Sequence, residues 1–386
     1  MSIASIHLAQ SIRFDPGEAL EGFLKSVPAR WAVYLLTDVD DKPIQLLCVK
    51  NLRYSLKRRL GGDETIGPSR RVNYRDLVRH VHWRPVDSAF EADWIYYEAA
   101  RELFPQTYQG MVGFRPAWFV HVNPDAPFPR YVKTIDLTPR AGVLLGPLED
   151  KHAAARLIEL MEDAFDLCRF YNILVDAPSA KACAYKEMGK CPAPCDGTIG
   201  MEEYRRMMSV SVAALIDPTS VIVEQTMLMQ HAAGELRFES AAKAKTLIGK
   251  LSTLGKGAFR HVRALKDFRY LSIQRGGRDG TAKLFSIAPE GIEEILGLQG
   301  DGEIVPHLHA LIQPGGSAMY GVSGTNAERI GVVAHHLFAA KKSGGVFLPV
   351  EAVDDKTLAR AFRDVQKQSV KEAVEEEGLV KELQAI

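Results

Sequence analysis

Four of the chain's five cysteines, Cys168, Cys183, Cys191 and Cys195, fall within 28 of its 386 residues. Five cysteines are too few for a disulfide scaffold, so in a reducing compartment this C-x14-C-x7-C-x3-C cluster reads first as a metal site. Four thiolates suit a tetrahedral zinc or a cubane iron–sulfur cluster, and the absence of paired C-x2-C knuckles weakens the zinc-ribbon reading. Pro192 and Pro194 stiffen the loop that carries the last two thiols. The alternative, four buried unligated cysteines, requires four chance placements. Cys48 lies on a predicted strand and reads as an ordinary core thiol.

At 386 residues the chain has room for two or three domains, and 46% hydrophobic with 25% charged residues argues against disorder or a coiled-coil rod. Net charge is zero, so any nucleic-acid surface must come from local segregation of charge. Met1–Arg13 has no basic leader region and no apolar run approaches a membrane span, so a cytoplasmic protein without a membrane partner is expected.

The pattern predicts an α+β fold. Asp15–Leu24 suits a short helix, Trp31–Leu36 and Pro43–Val49 a hairpin around the DVDDK turn, Asn51–Leu60 a helix, Val81–Trp83 a strand, and Ser88–Leu103 a helix stopped by Pro105. Residues 1–112 therefore form a small mixed sheet with helices. Residues 113–150 read as a β-rich connector in which Gly146-Pro147 turns the chain into an amphipathic helix, Asp150–Phe165. The cysteine-rich segment completes residues 151–200, helices fill 201–256 with a break at Pro218, and 257–386 form a C-terminal α+β region. There YLSIQ and AKLFSI flank Gly276, Gly277 and Gly280, a strand-to-strand turn with no helix start to make it a phosphate loop, and charged helices begin at Lys356.

Between Lys50 and Arg84, ten basic residues (Lys50, Arg53, Lys57, Arg58, Arg59, Arg70, Arg71, Arg75, Arg79, Arg84) stand against three acids (Asp63, Glu64, Asp76). With Tyr54, Tyr74 and Trp83 interleaved, the stretch reads equally as a phosphate-binding surface or a solvated helix face. The histidine pairs His80/His82, His307/His309 and His335/His336 lack a converging third ligand.

Phe14-Asp15, LKSVPARWAVYLL, a hairpin and KNLR at Lys50–Arg53 together resemble the start of the UvrC family, the C subunit of the bacterial excision-repair endonuclease, with its GIY-YIG nuclease domain. The resemblance implies a phosphodiester-cutting centre in which Tyr34 matches the first motif tyrosine and Glu98 the glutamate that holds magnesium or manganese. It also places Gln45 at the second tyrosine, Leu47 at the motif glycine and Ser55 at the phosphate-stabilising arginine. Serine carries no charge for a pentacovalent phosphate, so a degenerate, binding module is expected. Arg53 should point to the far side of the helix, whereas Arg58 and Arg59 share the Ser55 face and could substitute in part. DNA contacts are then expected from Lys50, Arg53, Lys57, Arg58 and Arg59.

ACAYKEMGKCPAPCDGTI resembles the same family's cysteine segment, with the same final two gaps, which implies a 4Fe-4S cluster on Cys168, Cys183, Cys191 and Cys195, with zinc as the alternative. MQHAAGELRFESAAKAKTLI resembles the UVR motif, an α-hairpin that docks the C subunit on UvrB, with Lys245-Thr246 where the family has Arg-Asp. Small alanines should bring two helices together, with Leu236 and Phe238 filling the centre and carrying partner contacts. The resemblance spans about residues 14–255. The remaining 131 residues leave no room for both an RNase H-like nuclease and a helix-hairpin-helix domain, so the second catalytic centre is expected to be absent. The expected function is a UvrC-like protein related to nucleotide excision repair that binds DNA or a UvrB-like partner. The alternatives are a metal-dependent single-incision endonuclease and an interaction adaptor with no DNA role.

Overall fold

The computed structural model describes residues 7–61, 74–299, 321–339 and 345–367. Among them, three antiparallel four-stranded sheets and their helices make the expected α+β architecture. The first sheet holds β1 (Gln10–Arg13), β2 (Ala32–Thr37), β3 (Pro43–Val49) and β4 (His80–Pro85) in the order β1-β4-β2-β3. Strand β2 is buried on both faces. Its alternation sends Ala32, Tyr34 and Leu36 toward α1 (Leu20–Lys25) and α2 (Leu52–Leu60), and Val33 and Leu35 toward α4 (Ala89–Leu103). The short α3 (Tyr74–Leu77) closes the first face.

Local chemistry sets the helix starts. Asn51 Oδ1 accepts the Tyr54 N–H at 3.0 Å, and Ser88 Oγ accepts that of Glu91 at 3.1 Å. Helix α1 begins at Leu20 instead of Asp15 because Asp15 Oδ1 captures the Gly17 N–H at 2.9 Å in a turn. Cys48 is exposed on edge strand β3, under the Trp31 indole N–H at 3.3 Å, and is not the core thiol expected from its apolar neighbours. An edge strand hides fewer of its side chains than a central one.

After α5 (Tyr108–Met111), the second sheet runs β6-β5-β7-β8, with β5 (Trp118–Val122), β6 (Tyr131–Thr134), β7 (Val143–Leu148) and β8 (Arg263–Ala264). Helix α6 (Lys151–Ala164), the short α7 (Tyr171–Leu174) and α8 (Ala184–Glu187), and α9 (Met201–Ile216), α10 (Pro218–Gly234) and α11 (Phe238–Leu251) follow. One apolar core joins Val120, Leu145, Leu157, Met161, Tyr204, Leu251 and Ala264, so the stretches 113–150, 151–200 and 201–256 share a single interior. Gly146-Pro147 lies inside β7 and is not the turn the dipeptide suggested. A Cβ at Gly146 would stand 2.6 Å from the Phe119 ring, and proline is tolerated because the β5–β7 register shifts there.

The third sheet has the order β11-β10-β9-β12, built from β9 (Tyr270–Arg275), β10 (Thr281–Ala288), β11 (Gly291–Gln299) and β12 (Gly345–Pro349). One face packs Leu271, Ile273 and Leu284 against α13, over 355–367, through Leu358, Phe362 and Val365. The other face receives α12 (Gly324–Phe338) and the outer side of α4. Phe90 of α4 meets the rings of Phe285 at 5.5 Å and Phe347 at 5.2 Å, edge to face. Each such pair contributes about 0.5–1.5 kcal/mol beyond its buried area. The glycine-rich turn does join β9 to β10, and Gly280 N–H is held by Gln366 Oε1 at 3.0 Å. Among the described residues no single helix is long and apolar enough to cross a membrane.

Candidate functional site

The tyrosine pocket is built on β2, β3 and α2. Tyr34 has no solvent exposure, and its hydroxyl lies 2.8 Å from Ser55 Oγ, so the two hydroxyls hydrogen-bond each other. Burial pushes the Tyr34 phenol above its ordinary value, against the opposing pulls of Ser55 and Arg59. One turn beyond Ser55, Arg59 donates to Gln45 Oε1 at 2.7 Å and stands 5.5 Å from the Tyr74 ring. Of the two arginines expected near the Ser55 face, Arg59 is turned in and Arg58 is exposed. Leu47 packs against the same core.

Glu98 has separate surroundings. Helix α4 covers the sheet face opposite Tyr34, and Glu98 is only 3% exposed. Both its oxygens accept from Arg329 of α12, at 2.6 and 3.0 Å, and Arg101 Nη2 lies 3.6 Å away. Arg329 was not legible as a partner because 231 positions separate the two residues. The only signal available was a carboxylate amid apolar neighbours in WIYYEAA, which must find a counter-charge when buried.

The basic stretch divides. Lys50, Arg53, Lys57 and Arg58 are exposed, with Tyr54 at 60% exposure beside them, although Arg53 Nε donates to Val27 O at 2.9 Å and Lys50 sits 3.5 Å over the Trp31 ring. Arg75 and Arg79 bond backbone carbonyls, and Arg84 pairs with Glu294 at 2.6 Å. Arg70 and Arg71 lie outside the described residues. His80 Nδ1 approaches Asp41 at 3.0 Å and His336 Nε2 approaches Asp93 at 2.9 Å, while His307 and His309 lie outside the described residues.

The cysteines lie at the other end of the middle core. Cys168, Cys191 and Cys195 are buried and Cys183 is half-buried at the start of α8. The Cys168 thiol donates to Phe170 O at 3.6 Å, while its interaction with the Cys191 thiol pushes Cys191 down and Cys168 up, and the Arg169 charge also lowers Cys191. Burial raises Cys195, which feels Cys191 and Cys183 electrostatically. Ala193 adopts a left-handed φ of 57° between the two prolines, and Tyr204 Oη accepts the Cys168 N–H at 3.1 Å, so the loop backbone is tied to the core. The donor set fits a soft metal or an iron–sulfur cluster. Among the described residues no three His, Cys, Asp or Glu side chains are closed into a ready cage.

In the helical hairpin, the expected small-residue contact is met only in part: of Ala232, Ala233, Ala241 and Ala242, Ala232 is buried, Ala241 is half-buried and the other two are exposed, while Ala244 is buried in their place. Leu236 and Phe238 do not fill the centre: they are 72% and 66% exposed at the tip. Leu236 has φ 58°, because it occupies the left-handed position that ends α10, with the Arg237 N–H returning to Ala232 O at 2.8 Å.

Residues 117–214, from β5 to α9 and including all four clustered cysteines, match the family model of the UvrC/Cho excinuclease middle domain. The resemblance read from the sequence extends to curated proteins. The chain is 24% identical over 279 residues to UvrABC system protein C of Lachnospira eligens, covering 69% of this chain and 44% of that protein. It is 27% identical to UvrABC system protein C of Clostridium botulinum over 50% of this chain and 30% of that protein, and 26% identical to that of Campylobacter jejuni over 66% and 42%. The chain thus spans less than half the length of these relatives. No solved structure matches it.

Proposed function

We propose that this chain is a DNA-binding, non-cleaving protein of nucleotide excision repair, working in the cytoplasm and docking on a UvrB-like subunit. The observation that carries the non-cleaving part is the complete burial of Tyr34 against Ser55. A tyrosine that positions water at a scissile phosphate must reach both, and this hydroxyl reaches a serine. The missing positive charge at residue 55 removes a group usually worth several kcal/mol at the transition state. Lys50, Arg53, Lys57 and Arg58 supply the phosphate-binding surface, with Tyr54 available for stacking. Cys168, Cys183, Cys191 and Cys195 would hold a 4Fe-4S cluster, or zinc, which when bound cross-links the loop and fixes the α8–α9 approach.

The hairpin tip is the docking element. An exposed leucine at a left-handed φ is held where glycine would cost less, which favours a role for its side chain in contact. A second reading, a metal-dependent single-incision endonuclease, is favoured by Arg59, whose charge acts on Tyr34 from one turn beyond Ser55. The test is incubation of supercoiled and lesion-bearing DNA with the purified protein and manganese. Binding without nicking is expected, and nicking abolished by Arg59→Ala would establish the second reading.

A further inference from the structure

We infer that Glu98 is not a metal ligand in this chain but the anchor by which the C-terminal unit, the third sheet with α12 and α13, is clamped onto the N-terminal module. This deepens the non-cleaving reading and rests on it. The outward side of α4 and the turn before it carry Asp87, Glu91, Asp93 and Glu98, and each meets a base from the third sheet or α12. Lys283 Nζ lies 2.8 Å from Asp87 Oδ2 and 2.6 Å from Glu91 Oε1. His336 faces Asp93, and Arg329 grips Glu98. Complementary groups run the other way: Glu328 accepts from the hydroxyls of Tyr97 at 2.6 Å and Tyr108 at 2.8 Å.

A divalent cation binds a carboxylate through an oxygen that no fixed cation already occupies. Arg329 takes both oxygens of Glu98 in a planar fork, the strongest geometry available to such a pair, and Arg101 adds a second positive charge. No other His, Cys, Asp or Glu among the described residues completes a metal site around it. The same contacts give the C-terminal unit a role: its sheet supplies the apolar cover for Phe90 and its charges neutralise a row of acids on α4. Removing Arg329 leaves the buried Glu98 with only the more distant Arg101, and removing Glu98 leaves the half-buried Arg329 without its bidentate partner.

The test uses the full chain. Manganese titration followed by the electron paramagnetic resonance of free ion should give equal binding for wild type and Glu98→Gln, and a site present in wild type but absent from Glu98→Gln would overturn the inference. Glu98→Gln and Arg329→Met should each lower Tm by roughly 5 °C, with the double variant no worse than the larger single change. Additive losses would overturn the clamp. Arg329→Lys, which keeps the charge but not the fork, should fall between wild type and Arg329→Met, so the comparison survives even where the harsher variant does not fold. DNA affinity should stay unchanged in all of these variants. Nicking by wild type alongside unchanged manganese results would remove the non-cleaving reading and leave the clamp standing.

Discussion

The tyrosine pocket and the cysteine loop sit in neighbouring parts of the molecule, and their polar groups are satisfied very differently. In the pocket, the polar groups are paired among themselves: Ser55 meets Tyr34 and Arg59 meets Gln45. In the loop, four free thiols stand on a backbone strained at Ala193 and tied down through Tyr204. Strain and clustered thiols are retained only where something stabilises them.

That contrast breaks most easily at the loop. If the proposed four-thiolate site holds a metal, Cys191→Ser should abolish its binding and lower Tm further than any other substitution named here, because metal affinity in such a loop is also folding free energy. Metal analysis and absorbance near roughly 400 nm on anaerobically purified protein check it, since thiolate-bound iron–sulfur centres absorb there. Stoichiometric zinc without iron would replace the cluster assignment and keep the four-thiolate site.

Next in size is the exposed face of α2. Lys57→Glu with Arg58→Glu should weaken DNA binding by about tenfold or more across unrelated sequences and flatten the salt dependence, because each lost phosphate contact removes about one unit of slope. Filter binding over a salt series decides it, and unchanged affinity would move the DNA surface away from this helix.

A smaller effect distinguishes the joint between the middle and C-terminal units from both sites. Burial, reinforced by Arg260, pushes His261 down to about 4. The unfolded chain takes a proton below about 6.5 while the folded one stays neutral, so stability should fall as pH drops from 6.5 toward 4, by about 1–2 kcal/mol after allowance for partial exposure. His261→Gln should flatten that fall in a urea-unfolding series across the same range.

The smallest change in stability is expected at the hairpin tip, and it has the opposite sign. Leu236→Gly should stabilise the fold by about 0.5–1 kcal/mol by relieving the left-handed backbone, yet weaken docking on a UvrB-like subunit. Calorimetry and a pull-down with the purified subunit measure the two effects, and docking that survives both Leu236→Gly and Phe238→Ser would separate the tip from the partner surface.

Elements whose causes are local were determined by the sequence itself. Strand β3 matches its predicted bounds, α2 and α4 start one residue beyond Asn51 and Ser88 as those caps require, and the cysteine spacing announced the middle domain that the family model matches. Periodicity, caps and fixed spacings act over a few residues and leave a readable pattern. The tertiary structure alone decided the rest. Gly146-Pro147 has the composition of a turn, but Phe119 needs the missing Cβ inside a strand. Leu236 and Phe238 have core chemistry but stand outside, because the chain turns between the helices there, with Leu236 in the left-handed position and Phe238 opening α11. Glu98 lies in an apolar helix, and Arg329, 231 residues away, determined what its charge does. A buried charge is governed by whatever cation packs against it, and that neighbour is set by how distant segments assemble.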